Sequence, residues 1–371
     1  MPITGSCNSY HMSITMGVVG AGNIATSRHI PAFQDHDRVT VAAVYDTNES
    51  KTTSAAQEYD IRAATSFQDL YEQVDVVSLC TPPSVHHEQA IEALGAGCHV
   101  LCEKPMAMTG TEAAEMVAAA EEHDRVLSVV HNFLYMDSIE SVRHLVDSGQ
   151  LGTITRTHMI KPESEEKRAK EYLDRTAVPD QTTDEEWKLY RLFWDEAAHL
   201  MYLTRDVLGE MSLAEARVTP TPVTRYATIR ARFTNEDDVE GNVLMLLDAP
   251  ISEWWFVVVG TQGIALVDIY RDLAIHFDRE PDHSAGRVLK VLLSGLGQAG
   301  FGAFRSGLGL LKDRYVNEYR IPDAGFSTQI DHLVAAIERG HPLPTPPTED
   351  QKAVEAMEAV VEATPMAEGR E

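Results

Sequence analysis

A chain of 371 residues with 44% hydrophobic content is long enough for two domains and a large buried core. Its 57 acidic side chains against 31 basic ones give a formal net charge of -26, which repels nucleic acid and anionic membranes. No stretch supplies the roughly eighteen uninterrupted apolar residues of an integral membrane segment, so membrane-spanning and nucleic-acid-binding classes are set aside. Residues 1–11 have neither a basic start nor an apolar run and read as a disordered extension. Cys7, Cys80, Cys98 and Cys102 lack zinc-type spacing and read as reduced thiols in a cytoplasmic protein. Carboxylates hold hydration well in salt, so a halophilic host is expected, with an ordinary acidic cytoplasmic enzyme as the alternative.

From Ser13 the chain reads as a strand, Ile14 to Val19, a glycine turn, and a helix from about Asn23 to Phe33 broken near Pro31. A second strand, Val39 to Tyr45, ends at Asp46, and a helix carrying Lys51 to Tyr59 follows. Strands at Val74 to Cys80 and Cys98 to Cys102 enclose the helical run Val85 to Leu94, which Gly95 and Gly97 stop. A helix over Thr111 to His123 and a strand near Val126 to Val130 complete an alternation that predicts a parallel sheet wound on both faces.

After His131 the pattern changes. Helical stretches at Ser138 to Ser148 and Asp195 to Leu208 are interspersed with strand-like runs at Thr153 to Ile160, Ala214 to Val218, Tyr226 to Phe233, Val239 to Leu247 and Trp254 to Val267. Short connections favour an antiparallel or mixed sheet. Lys161 to Lys188, dense in both charges, reads as a solvated helix or arm, or as a lid. The segment 287–311 is apolar, glycine-rich and free of acids. It reads as a subunit interface, with a phosphate-bearing substrate or a membrane surface as alternatives. The expected class is α/β, with a nucleotide-binding domain over 12–131 and, over 132–371, a domain with an open, mainly antiparallel sheet for substrate binding and oligomerisation.

In Gly20-Ala21-Gly22-Asn23-Ile24-Ala25, Gly20 permits a tight turn, Gly22 lets the backbone approach a pyrophosphate, and Ala25 keeps the helix close to the strand. The bare N–H groups of the helix start then face phosphates. Asp46 stands where a carboxylate accepts from ribose hydroxyls and repels a 2′-phosphate, which favours NAD over NADP; its other reading is a cap for the turn with Thr47 and Asn48. Thr81-Pro82-Pro83 makes a stiff loop at the ligand-binding edge, suited to the nicotinamide end. His86 and His87 read first as surface or capping residues, with His86 within reach of ligand. Glu103-Lys104-Pro105 ends the next strand and places an amine beside the cofactor. Asp195 and His199, four apart, share one helix face, and an imidazole near neutrality is a candidate general base with the carboxylate orienting it or the substrate. The same spacing suits zinc, but no third ligand is in view and no metal is assigned.

These strings together, with Ala96 to Pro105 and Asp195-Glu196-Ala197-Ala198-His199, resemble the glucose-fructose oxidoreductase, inositol dehydrogenase and MocA family over nearly the whole chain. The resemblance implies a nicotinamide-dependent dehydrogenase of a sugar, cyclitol or sugar derivative, and a homo-oligomer, a dimer or tetramer. It implies that Lys104 hydrogen-bonds the reacting hydroxyl and stabilises its alkoxide character, that Glu103 and Lys104 lie beside the cofactor, and that the Lys104–Pro105 bond is cis. Many members carry an aspartate where this chain has Tyr202, a neutral phenol able to stack on a sugar face, so substrate contacts here are expected to differ. His131-Asn132 is a further candidate for substrate contact, while Trp187, Trp194, Trp254 and Trp255 read as core or interface. Two other functions fit the same features: a cofactor-binding regulator without turnover, and NAD-assisted glycoside cleavage or epimerisation without net NADH release.

Overall fold

The computed structural model describes residues 13–164, 185–221, 228–279 and 325–367. The chain divides into two compact units, Met1–Ala107 with Ala114–Val130 and Ile330–Pro347, and Met108–Ala113 with His131–Gln329 and Thr348–Glu371.

The first unit begins with β1, Ile14–Val19, a π-helical turn, Ala25–His29, and α1, Ile30–Gln34. It continues through β2, Val39–Tyr45, α2, Glu49–Tyr59, β3, Arg62–Ala63, α3, Phe67–Tyr71, and β4, Val76–Leu79. Then come α4, His86–Gly95, β5, His99–Cys102, α5, Gly110–Glu122, and β6, Leu127–Val129. All four residues of β4 are buried, as expected of an apolar strand covered on both faces. The strands lie in the order β3-β2-β1-β4-β5-β6 and every pairing is parallel. Winding reverses between β1 and β4, and open sheets of this kind bind ligands beyond the strand ends at that point. The sequence reading omitted β3 and α3, which are two and five residues long and too short to carry a period.

The second unit contains α6, Asp137–Asp147, β7, Ile154–Ser164, and α7, Glu185–Leu208. Its remaining strands are β8, Ser212–Thr219, β9, Thr228–Thr234, β10, Glu240–Ala249, β11, Trp255–Gly260, β12, Gly263–Asp268, and β13, Leu273–Asp278. They form one mixed sheet in the order β13-β12-β11-β7-β10-β9-β8, antiparallel except for β7 beside β10. Helix α7 lies close on this sheet: a Cβ at Gly241 of β10 would stand 2.6 Å from Leu208 Cδ1. Phe193, Leu200, Met201 and Leu203 of α7 are wholly buried. Each such side chain contributes about 1.5–3 kcal/mol on burial, against helix-propensity differences below about 1 kcal/mol, so packing holds this helix.

The run Trp254 to Val267 is a hairpin, because Thr261 and Gln262 turn the chain between Gly260 and Gly263. A Cβ at Gly260 would stand 2.1 Å from the Leu151 carbonyl oxygen, so only glycine fits there. Lys161 does not open a solvated arm: Lys161 and Glu163 are each 2% exposed at the end of β7. Residues 165–184 of that segment, and 287–311, lie outside the described residues.

Two later helices, α8, Phe326–Arg339, and α9, Pro347–Glu362, went unread in the sequence. From Ile330 onward α8 belongs to the first unit, where Asp331 Oδ1 lies 3.2 Å from His36 Nε2 and Glu338 pairs with Arg38. Among the described residues no helix is long and apolar enough to cross a membrane.

Candidate active site

The glycine turn caps the carboxyl end of β1. Gly20 has φ +91°, and a Cβ there would stand 2.8 Å from the Cys80 carbonyl oxygen at the end of β4, so glycine alone lets the two strand ends pass. Nothing lies within 4 Å of where a Cβ of Gly22 would stand, which is the opening a pyrophosphate needs to reach the backbone. Ala25 is fully buried and closes the helix onto the sheet, while Asn23 is exposed and Ile24 half-buried beside the turn. Asp46 Oδ2 accepts the Ala21 N–H and Oδ1 accepts the Asn48 N–H, each at 2.8 Å. The carboxylate therefore caps its own turn and also ties it to the glycine loop.

Thr81, Pro82 and Pro83 follow β4, and Glu103 and Lys104 follow β5, at the same edge of the sheet. His86 is fully buried, contrary to the surface reading. Its Nε2 lies 2.8 Å from the Thr81 carbonyl oxygen and its Nδ1 3.0 Å from that of Pro105, so the ring spans both loops. Burial holds this imidazole below its usual pKa, with the two carbonyls and Glu103 acting the other way. His87 instead meets Glu115, 2.7 Å away. Glu103 Oε1 lies 2.8 Å from His29 Nε2, and Oε2 accepts the Lys104 N–H at 3.1 Å. His29 Nδ1 meets Ser78 Oγ at 2.8 Å. Burial opposes charge on His29, but Cys80 and Glu103 outweigh it and raise its pKa to about 10; Glu103 is held below the usual carboxylate range by His29 and Lys104 against its own burial. The Lys104–Pro105 bond is cis. The lysine's main chain is thus fastened through Glu103 on one side and through His86 on the other.

In the second unit, Asp195 and His199 lie half-buried on α7, and Asn132 opens a 3₁₀ turn, Asn132–Tyr135. His199 Nδ1 is 2.8 Å from the Tyr202 hydroxyl, and the ring is walled by Phe133 and Trp254 at centroid distances of 4.7 and 5.7 Å. Tyr202 is 4% exposed, and its ring packs on His131 at 4.1 Å. His131 Nε2 lies 2.8 Å from Asp350 Oδ1, and burial raises the Asp350 carboxyl pKa despite that neighbour.

Behind Trp254, Lys161 Nζ lies 2.6 Å from Glu196 Oε2, 3.0 Å from Glu163 Oε2 and 5.3 Å from the indole centroid. Burial acts against this ammonium, but Glu196, Tyr270 and Glu163 hold it above lysine's usual pKa. Removing one partner of a buried ion pair strands the other, so Lys161→Ala is expected to destabilise the protein by about 3–5 kcal/mol in chemical denaturation. A loss below about 1 kcal/mol would contradict that account.

His29, Asp350 and the pairing of Lys161 with Glu196 escaped the sequence reading because their partners are distant in sequence. His29 did leave a signal, a histidine one turn after Ala25 on the buried side of the first helix.

Residues 14–131 match the family model described as an oxidoreductase family with an NAD-binding Rossmann fold, Gfo/Idh/MocA. This stretch, about a third of the chain, carries the nucleotide-binding fold of that family. NAD is accordingly its cofactor, and the open space at Gly22 fits it. D-glucoside 3-dehydrogenase of Escherichia coli (strain K12) is 33% identical over 146 residues, 38% of this chain and 41% of that protein. Glucose-6-phosphate 3-dehydrogenase of Bacillus subtilis (strain 168) is 30% identical over 139 residues, 38% of this chain and 39% of that protein. The match thus spans about two fifths of the length of these relatives. Among solved structures, UDP-N-acetylglucosamine 3-dehydrogenase GnnA from Acidithiobacillus ferrooxidans superposes with TM-score 0.71 at 19% identity, over 95% of this chain and 98% of that one. The WlbA dehydrogenase from Bordetella pertussis, in complex with NADH and UDP-GlcNAcA, gives 0.69 at 20% identity, over 95% of each chain. These structural likenesses show a shared fold over nearly the whole chain.

Proposed function

We propose that the protein is an NAD-dependent oxidoreductase that transfers a hydride between the nicotinamide and a hydroxyl-bearing carbon of a sugar, cyclitol or sugar derivative. The observation that carries this reading is the fastening of Lys104 at the edge of the parallel sheet that also bears the glycine turn. Bound NAD supplies the hydride acceptor. Lys104, as an ammonium, hydrogen-bonds the reacting oxygen and stabilises its alkoxide character. His199 takes the hydroxyl proton, and Asp195 and Asn132 hold neighbouring hydroxyls. The names of the relatives, both sugar dehydrogenases, support the substrate class. In this reading the first unit, which also takes in Ile330–Pro347, binds the nucleotide, and the second serves substrate binding and self-association.

The test is a dehydrogenase screen of the purified chain across sugars, cyclitols and nucleotide sugars with NAD and NADP, read by nicotinamide absorbance. Reduction of NAD on at least one of them is expected. Tight NAD binding with no turnover across the panel would instead support a regulator. Asp46 sets the cofactor preference in this reading, so Asp46→Ala is expected to raise the ratio of NADP to NAD turnover by about tenfold, roughly 1.4 kcal/mol. An unchanged ratio would leave Asp46 only its capping role.

A further inference from the structure

We propose that Tyr202 acts through His199, as the positioning residue that selects which ring nitrogen does the work: the Tyr202 hydroxyl accepts the Nδ1 N–H, and Nε2 keeps its lone pair for the reacting hydroxyl. This rests on the reading of His199 as the base. A neutral imidazole carries one ring hydrogen, so a lone pair at Nε2 requires that hydrogen on Nδ1, and a partner must hold it there. Tyr202 is three residues after His199 on α7, hence on the same face, and its oxygen is 2.8 Å from Nδ1. The phenol is 4% exposed and packs on His131, so it is not presented to solvent as a platform for a sugar ring. Phe133, edge-on at 4.7 Å, and Trp254 at 5.7 Å restrict the imidazole further.

The partner's chemistry matters as much as its position. A carboxylate at this place would attract the imidazolium formed when Nε2 takes the substrate proton. A neutral phenol orients the ring with less of that attraction, so the proton is handed on more readily. Among the described residues, titratable and charged groups near this ring include Asp195 on the same helix, His131 with Asp350 beside Tyr202, and Tyr270 and Lys161 with Glu163 and Glu196 beside Trp254.

The experiment uses the full chain with NAD and ring-labelled histidine. Long-range proton–nitrogen NMR reads the tautomer, and His199 is assigned by the signals lost in His199→Asn. The hydrogen is expected on Nδ1 in the wild type, and Tyr202→Phe is expected to populate the Nε2–H form. On a substrate from the screen, Tyr202→Phe should lower kcat at least about tenfold with KM nearly unchanged. Tyr202→Asp, which still accepts the N–H, should retain the tautomer and move the acidic limb of the pH profile to higher pH. An Nε2–H tautomer in the wild type, or a raised KM with unchanged kcat in Tyr202→Phe, would overturn the proposal. Full turnover by His199→Asn would instead remove the base reading, and the tautomer measurement separates the two because it needs no substrate.

Discussion

Replacing Lys104 by methionine is expected to lower turnover about a thousandfold, roughly 4 kcal/mol of transition-state stabilisation, while NAD affinity changes by no more than about twofold. Methionine keeps the length and much of the volume of the side chain but removes the cation. What is lost is a charge-assisted hydrogen bond that strengthens as the reacting oxygen gains negative character, an interaction expressed in kcat. The scaffold should survive, since the contacts that fasten this loop reach its main chain: Glu103 accepts the Lys104 N–H and His86 meets the Pro105 carbonyl. Nicotinamide absorbance gives the rate, and calorimetric titration gives NAD affinity. Full turnover would exclude the proposed role. A parallel loss of NAD binding would move Lys104 from the substrate to the cofactor.

Glu103→Ala, one residue earlier, should act on stability. His29 is 1% exposed and charged at neutral pH, with Glu103 2.8 Å away, so truncation strands a buried imidazolium and is expected to destabilise the protein by about 3–5 kcal/mol. The sign with pH follows from the direction of each shift. His29 rises from 6.5 to about 10 on folding, so its contribution is complete below pH 6.5 and fades as pH climbs toward 10. Glu103 falls below 4.5, so its contribution is present above that value and fades on acidification. Wild-type stability should therefore decline between about pH 7 and 10, with His29 contributing at most about 1.4 kcal/mol per pH unit. Urea denaturation across that range tests the account against His29→Phe. A slope identical in the two proteins would show that His29 is not a charged partner of Glu103.

Local signals account for what the sequence made legible. Strands β1 and β2 run over the residues anticipated, because apolar runs bounded by a glycine turn and by Asp46 leave little choice. The mixed sheet of the second unit also follows from short connections between apolar runs. What escaped depends on encounters that spacing does not encode. The partner of His29 lies 74 residues on, at Glu103. Lys161 looked like the start of a charged arm until β7 carried it beneath Trp254, between two carboxylates. His86 looked superficial because charged and polar neighbours flank it, yet one turn of α4 takes its ring inward to two main-chain carbonyls. Lys161 and His86 were assigned to solvent, and His29 was given no role, when the fold had supplied each with an internal partner.

The return of α8 to the first unit bears on how the protein is made. Asp331 and Glu338 leave the ribosome some three hundred residues after His36 and Arg38, the loop residues they meet ahead of β2. The nucleotide-binding unit therefore cannot finish assembling as its own strands emerge. It must persist with part of its surface uncovered while most of the chain is still being synthesised, and its folding carries a long-range closure that a contiguous domain of the same architecture would avoid.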